Sequence, residues 1–327
     1  MGTAASWLEK RQIWLYLAAI GFGALLGSLA PWLAPGLATA INPVLGLLLF
    51  ATFLGVPLVE IGRAFRDIRF LGSIVVVNFV AAPVLVWGLS RFVASEQALL
   101  FGVLLVLLTP CVDYVIVFTG IAGGAKERLL AAAPLLMLLQ ILLLPLYLLL
   151  FAGPAAVALI EVAQFAWAFL LLIVIPLIAA ALVQIVARSN FAGSSRAGTA
   201  IETVMARMMV PLLMATLALV VGSQISAVGR EIGQLLLILP LYVAFLIVMP
   251  LLGLAAGKLV RLDVPATRAL IFSGATRNSL VVLPLALALP APLDLAALAV
   301  VTQTLVELIG MLVLVKVVPR LVPMRDS

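Results

Sequence analysis

Three ionisable residues stand apart from the others in this chain. Asp113, Arg277 and Glu307 each lie within a long apolar stretch, whereas most other charges sit at the ends of such stretches. Asp113 belongs to the run Thr109-Pro110-Cys111-Val112-Asp113-Tyr114, and Arg277 to Ser273-Gly274-Ala275-Thr276-Arg277-Asn278-Ser279. Pro110 lacks a backbone donor and clashes with the preceding turn, so a helix there must kink or open. Gly274 and the polar residues after it weaken the second stretch in the same way. An opened helix offers carbonyls, amides, a carboxylate, a guanidinium and the Cys111 thiol to one cavity. Such a set can bind a small polar solute.

Each residue also has a structural reading. Asp113 and Arg277 can neutralise each other as a buried pair, and losing one partner of such a pair typically costs about 3–5 kcal/mol. Glu307 lies four residues after Gln303, on one face of a helix. It can carry protons or hold helices together. Asp113, Glu307 and Gln303 are the candidates for coupling. Cys111 is the only cysteine, so intrachain disulfides and multi-thiolate metal sites are excluded. There is no histidine, so proton coupling would have to use a carboxylate. No Ser/His pair or metal-ligand cluster points to an enzyme, and no cofactor motif is present.

The elements that position these residues follow from composition. The chain has 327 residues, 66% hydrophobic and 10% charged. Soluble domains average about 25% charged residues, so the bilayer must serve as solvent. Spanning its core takes roughly 20 apolar residues per helix. Ten spans meet that requirement, at about 12–34, 38–60, 70–93, 98–122, 129–152, 162–187, 205–228, 233–257, 268–289 and 295–318. The segment before the first span is mixed in character and does not read as a cleaved signal peptide. Connections are short, so 1–327 reads as one membrane domain, with a polar linker at about 188–206.

Basic residues give the orientation. Sixteen of the nineteen Lys and Arg fall on one side of this ten-span arrangement, and only Arg91 and Arg230 fall on the other. Positive loops stay inside, so both termini are expected in the cytoplasm of a cell (inner) membrane protein. The formal charge of +6 is then a topology signal, not a nucleic-acid footprint.

The halves, roughly 12–152 and 162–318, echo each other. Pro83 and Arg91 match Pro250 and Lys258 at an offset of 167, and Pro43 matches Pro211 at 168. The same offset pairs Cys111 with Asn278 and Gln140 with Glu307. Five spans per half requires the second half to be inverted, an architecture common among secondary transporters. The expected fold is therefore all-α and polytopic, with two inverted five-helix repeats.

With these motifs in place, the chain resembles the superfamily joining bile acid:sodium symporters and arsenite efflux permeases of the arsenical-resistance-3 type. The resemblance is strongest in L-L-T-P-C-V-D-Y-V-I-V-F-T-G-I-A-G-G (107–124) and G-A-T-R-N-S-L-V-V-L-P-L-A-L-A-L-P (274–290). It implies that helices 4 and 9 are discontinuous and cross in a core domain, which moves against a panel domain during alternating access. The surroundings of Cys111 are similar to those permeases, which require a cysteine there. Their acidic residue after the span 9 asparagine has no counterpart in Ser279-Leu280-Val281. Asn278-Ser279 matches the symporters' Asn-Ser, while Ser273 and Arg277 stand where a sodium-binding glutamate and glutamine would be. The resemblance thus implies arsenical-resistance efflux with weak or absent sodium dependence, driven by proton antiport or membrane potential. Thr109, Cys111, Asp113, Tyr114, Arg277, Asn278 and Ser279 are the expected substrate contacts, with Cys111 as an arsenic thiol contact. An organic-anion carrier using Arg277 and a passive channel are the alternatives.

Overall fold

The computed structural model describes residues 3–55, 67–112, 114–153, 167, 170–189, 192–290 and 293–324. Among them the chain is helical, with no β-strand longer than an isolated bridge. The helices are α1 (Thr3–Leu29), α2 (Ala34–Gly55), α3 (Ile68–Val76), α4 (Ala82–Ser90), α5 (Gln97–Leu107), α6 (Tyr114–Ile121), α7 (Lys126–Ala152), α8 (Ile175–Ala187), α9 (Ala192–Leu259), α10 (Val264–Ala275), α11 (Ser279–Leu287) and α12 (Leu295–Leu321). A π-helical turn, Val77–Ala81, joins α3 to α4, and a second, Leu170–Val174, leads into α8.

Six described helical stretches are long and apolar enough to cross a membrane: Pro31–Gly55, Ile68–Val93, Lys126–Ala152, Ser195–Ile225, Gly233–Leu259 and Leu295–Leu321. The difference from the ten expected spans has local causes. Spans 4 and 9 are each split into two short helices. The start of span 6 lies outside the described residues, and its regular α-helical part, Ile175–Ala187, is short. The apolar part of α1 that qualifies is short, Leu15–Leu29.

Two expected breaks are helical instead. The 188–206 stretch, expected as a linker, is helix from Ala192 onward. Its hydroxyls fold back onto carbonyls rather than breaking the backbone: Thr199 Oγ1 donates to Ser195 O at 2.9 Å, and Thr203 Oγ1 to Thr199 O at 2.8 Å. The expected gap between spans 7 and 8 is also continuous within the 68 residues of α9. No proline falls between Pro211 and Pro240 to stop it.

The chain divides into two compact units, each built from two separated segments. The first comprises Met1–Val59 and Ala163–Gln234. Within it α1 meets α9 through small residues: a Cβ on Gly23 or Gly27 would overlap the backbone of Ala218 or Gly222. Small residues four apart let membrane helices approach closely, and dispersion then replaces the missing hydrophobic drive. On α8, Gln184 Nε2 donates to Leu54 O at 3.0 Å, at the end of α2.

The second unit comprises Glu60–Val162 and Leu235–Ser327. Its core is α12 packed on α5 and α11, with α10 against α3, α6 and α7. Gly102 permits the α5–α12 approach, since a Cβ there would stand 2.6 Å from Ala299 Cβ. Two aspartates cap helices in this unit: Asp67 Oδ1 accepts from Phe70 N at 3.1 Å, and Asp263 Oδ1 from Ala266 N at 2.8 Å. Arg128 bridges both caps, at 3.2 Å to Asp67 and 2.8 Å to Asp263.

Candidate functional site

The two interrupted helices meet in the second unit. α5 stops at Leu107 and α6 resumes at Tyr114; α10 stops at Ala275 and α11 resumes at Ser279. Pro110 explains the first break, and it also disfavours helical geometry at Thr109. In the second, Thr276 is extended at φ −99°, ψ 133°, and Asn278 caps α11, its Oδ1 accepting from Val281 N at 3.3 Å.

Open backbone at membrane depth must find partners within the protein. Here each break satisfies the other. Cys111 N donates to Thr276 O at 3.1 Å, and Asn278 N donates to Thr109 O at 2.7 Å, pairing Pro110 antiparallel to Arg277. Thr109 Oγ1 bonds Leu105 O at 2.7 Å, and Thr276 Oγ1 bonds Phe272 O at 2.6 Å, so both threonines close the last turn of their helix identically. Thr109 and Thr276, like Pro110 and Arg277, are separated by the repeat offset of 167.

Arg277 has no solvent exposure. Its Nη2 donates to Asn78 Oδ1 at 2.9 Å, to Ser273 O at 3.3 Å and to Gly274 O, while Nη1 donates to Leu107 O at 3.4 Å. The Phe245 ring centroid lies 5.0 Å from its guanidinium carbon. The cation thus rests on the C-terminal carbonyls of α5 and α10, the negative ends of both helix dipoles. Asn78 sits in the π-helical turn and also donates from Nδ2 to Ile74 O and Ser273 Oγ, each at 3.0 Å.

Glu307 on α12 is equally buried. It accepts from Arg277 N at 2.8 Å, from Gln303 Nε2 at 2.5 Å and from the Tyr114 hydroxyl. That hydroxyl also lies 2.9 Å from Arg277 O. One carboxylate therefore ties α12 to the first residue of α6 and to the middle of the second break.

Thr109, Cys111, Tyr114, Arg277, Asn278, Ser279, Gln303 and Glu307 all come together here, and all are buried. Asp113, expected beside Arg277, lies outside the described residues. Arg277 Nε, Asn278 Nδ2, Ser279 Oγ and Gln303 Oε1 find no hydrogen-bond partner among the described residues. Gln140, the repeat mate of Glu307, is buried on α7, and no described side-chain bond joins it to this cluster. Among the described residues no group of three His, Cys, Asp or Glu could hold a metal ion.

Sequence reasoning missed Asn78. Its signal was present: a lone amide in an apolar span needs a partner within the protein. The arrangement brings the two helix breaks together around a buried cation and a buried carboxylate. The model of the Sodium Bile acid symporter family matches residues 42–234 of the chain. No curated protein matches it.

Proposed function

The chain belongs to the Sodium Bile acid symporter family and is a multi-pass membrane transporter, not an enzyme, and on that premise we propose that it is an efflux permease for trivalent arsenic. The solute binds at the crossing of the two interrupted helices, which alternate access to either side. The observation that carries this reading is Cys111, a buried thiol on the backbone bridge between the two breaks. Trivalent arsenic is thiophilic, and soft centres select sulfur ligands. Asn278 Nδ2 and Ser279 Oγ, unpartnered among the described residues, supply hydrogen bonds to its hydroxyls.

Transport is independent of sodium. The carbonyl ends of broken helices are where transporters commonly hold coupling cations. The Arg277 guanidinium already occupies such oxygens, from Leu107, Ser273 and Gly274. Energy comes from proton exchange, with Glu307 as the carrier, or from the membrane potential.

The reading takes the fold expected from the sequence, ten spans in two inverted repeats with both termini cytoplasmic, and it requires the chain to turn between spans 7 and 8, where α9 runs continuously. Bridge partners separated by the repeat offset support it. So does the division into units, since each takes one segment from each half of the chain.

The test is a Cys111→Ser variant in an arsenite-sensitised host lacking other efflux. Resistance should fall to the level of the empty host at unchanged protein abundance, in sodium and choline media alike. Undiminished resistance would remove arsenite as the substrate. A second reading, a carrier of a small organic anion, is favoured by Arg277 Nε, another unpartnered donor near the N-terminus of α11. Thermal stabilisation of the purified protein by a carboxylate or sulfonate, and not by arsenite, would select it.

A further inference from the structure

Away from the helix crossing, the second unit carries an apolar groove of about 500 Å³ between α12 and the later part of α9. Val243, Ile247 and Leu251 form one wall, and Ile309, Val313 and Val317 the other. Gly310 and Leu246 meet at its floor. No polar side chain lines it. Along α12 the lining runs from Val306 to Leu321, roughly 22 Å at 1.5 Å per residue. That exceeds half of the bilayer's roughly 30 Å hydrocarbon core, so the groove is long enough to take one leaflet's acyl chain.

Cations stand at one end of this groove. Lys258 follows Leu251 by seven residues, two helical turns on the same face of α9. Arg320 follows Val313 by seven on the same face of α12, and Lys316 flanks Val317. All three are exposed. The ends of the two helices lie together. Arg268, near the start of α10 and just beyond α9, donates from Nη2 to Val322 O at 2.8 Å, directly past α12. The nearby carboxylate of Asp263 is engaged by Arg128 at 2.8 Å.

An apolar slot of this length with cations at one mouth has the layout of a single phospholipid. We propose that this groove binds one anionic phospholipid of the surrounding bilayer. An acyl chain lies between α9 and α12, and the headgroup phosphate sits between Lys258 and Arg320. The site is distinct from the helix crossing but shares α12 with it. Val306 lines the groove, and the next residue, Glu307, turns inward to bond Arg277 N.

Native mass spectrometry of the full-length protein in detergent tests this. The probes are dioleoyl phosphatidylglycerol and dioleoyl phosphatidylcholine, which differ in headgroup charge and not in chain. The phosphatidylglycerol adduct should persist to higher activation energy. Each cation beside an anionic lipid contributes roughly fivefold in affinity. A Lys258→Gln/Arg320→Gln variant should therefore bind phosphatidylglycerol about 25-fold more weakly, and phosphatidylcholine as before. Lys258→Arg/Arg320→Lys should keep the preference. Val313→Trp, which fills the groove, should lower retention of both lipids. Equal retention of the two lipids by the wild type would overturn the proposal, as would a preference that survives loss of both cations. So would a Val313→Trp protein with unchanged lipid retention and altered oligomeric mass, since the groove would then face a second copy of the chain.

Discussion

A guanidinium with no solvent exposure must be compensated where it stands, and among the described residues Arg277 meets mostly neutral oxygens. Asn78 Oδ1 and the carbonyls of Leu107, Ser273 and Gly274 surround it, and Glu307 reaches its backbone amide instead of its side chain. Removing the cation while keeping the cage gives a sharp prediction. Arg277→Gln should leave these oxygens short of a positive charge and lower the melting temperature in choline buffer. Sodium should then restore part of the loss: an ion at ten times its dissociation constant stabilises by roughly 1.4 kcal/mol. The wild type should melt identically in both salts. A variant as indifferent to sodium as the wild type would sink the idea that Arg277 stands in for a bound cation. Glu307 invites a different substitution. Glu307→Gln keeps an acceptor for Arg277 N but abolishes the proton site, so the protein should stay folded and lose arsenite-driven proton movement in vesicles. Tyr114→Phe, by contrast, leaves a buried carboxylate oxygen short of a donor, a loss of about 1–3 kcal/mol. The sequence exposed these residues because charge and polarity are conspicuous in apolar spans. It did not expose their pairing. Tyr114 and Glu307 are separated by 193 residues, and Asn78 and Arg277 by 199. No periodicity connects residues so far apart.

At the scale of elements, both interruptions were legible because proline, glycine and polar runs act locally on backbone geometry. The continuity of α9 was not, because the hydropathy that marks two spans says nothing about whether the backbone between them unwinds. Close helix approaches were also hidden, since a glycine's packing role depends on what lies opposite. Gly102 and Gly72 separate these cases. A Cβ on Gly102 would press on Ala299 and on the Ala296 carbonyl, 2.7 Å away, and displace α5 from α12. A Cβ on Gly72, in α3, meets nothing within 4 Å. Gly102→Ala should therefore destabilise by about 1–3 kcal/mol. Gly72→Ala should stabilise by roughly 0.5–1 kcal/mol through the helix propensity it gains. Thermal melts of the two variants in one detergent check the opposite signs. Because α12 carries Glu307, Gly102→Ala should also reduce transport more than its stability loss explains, whereas Gly72→Ala should leave transport unchanged.

For the whole molecule, the division of the chain bears on mechanism. A repeat built by duplication and inversion predicts that each half contributes corresponding pieces to each unit. Under that reading 1–59 would correspond to 163–234, and 60–162 to 235–327, with shifts between 162 and 175 residues. Hydropathy suggested the spans and the spacing of prolines and basic residues suggested a repeat, but neither could assign spans to units, because that assignment depends on which helices pack together. The two helix breaks and Glu307 all belong to the second unit. If access alternates by movement of one unit against the other, the crossing should travel as a body with α3 to α7 and α10 to α12. Spin labels on introduced cysteines can detect this, with the parent protein, whose Cys111 is fully buried, labelled in parallel to report its background. Labels at Trp32→Cys in the first unit and Phe92→Cys in the second occupy exposed positions. Their distance distribution should redistribute when arsenite is added. Labels at Ile68→Cys and Leu259→Cys, both exposed and both within the second unit, should keep theirs. A change confined to the second pair would place the gating motion inside the unit, in the α5–α6 and α10–α11 breaks themselves. Then the antiparallel bridge between Pro110 and Arg277, not the movement of a whole unit, would be the part that opens.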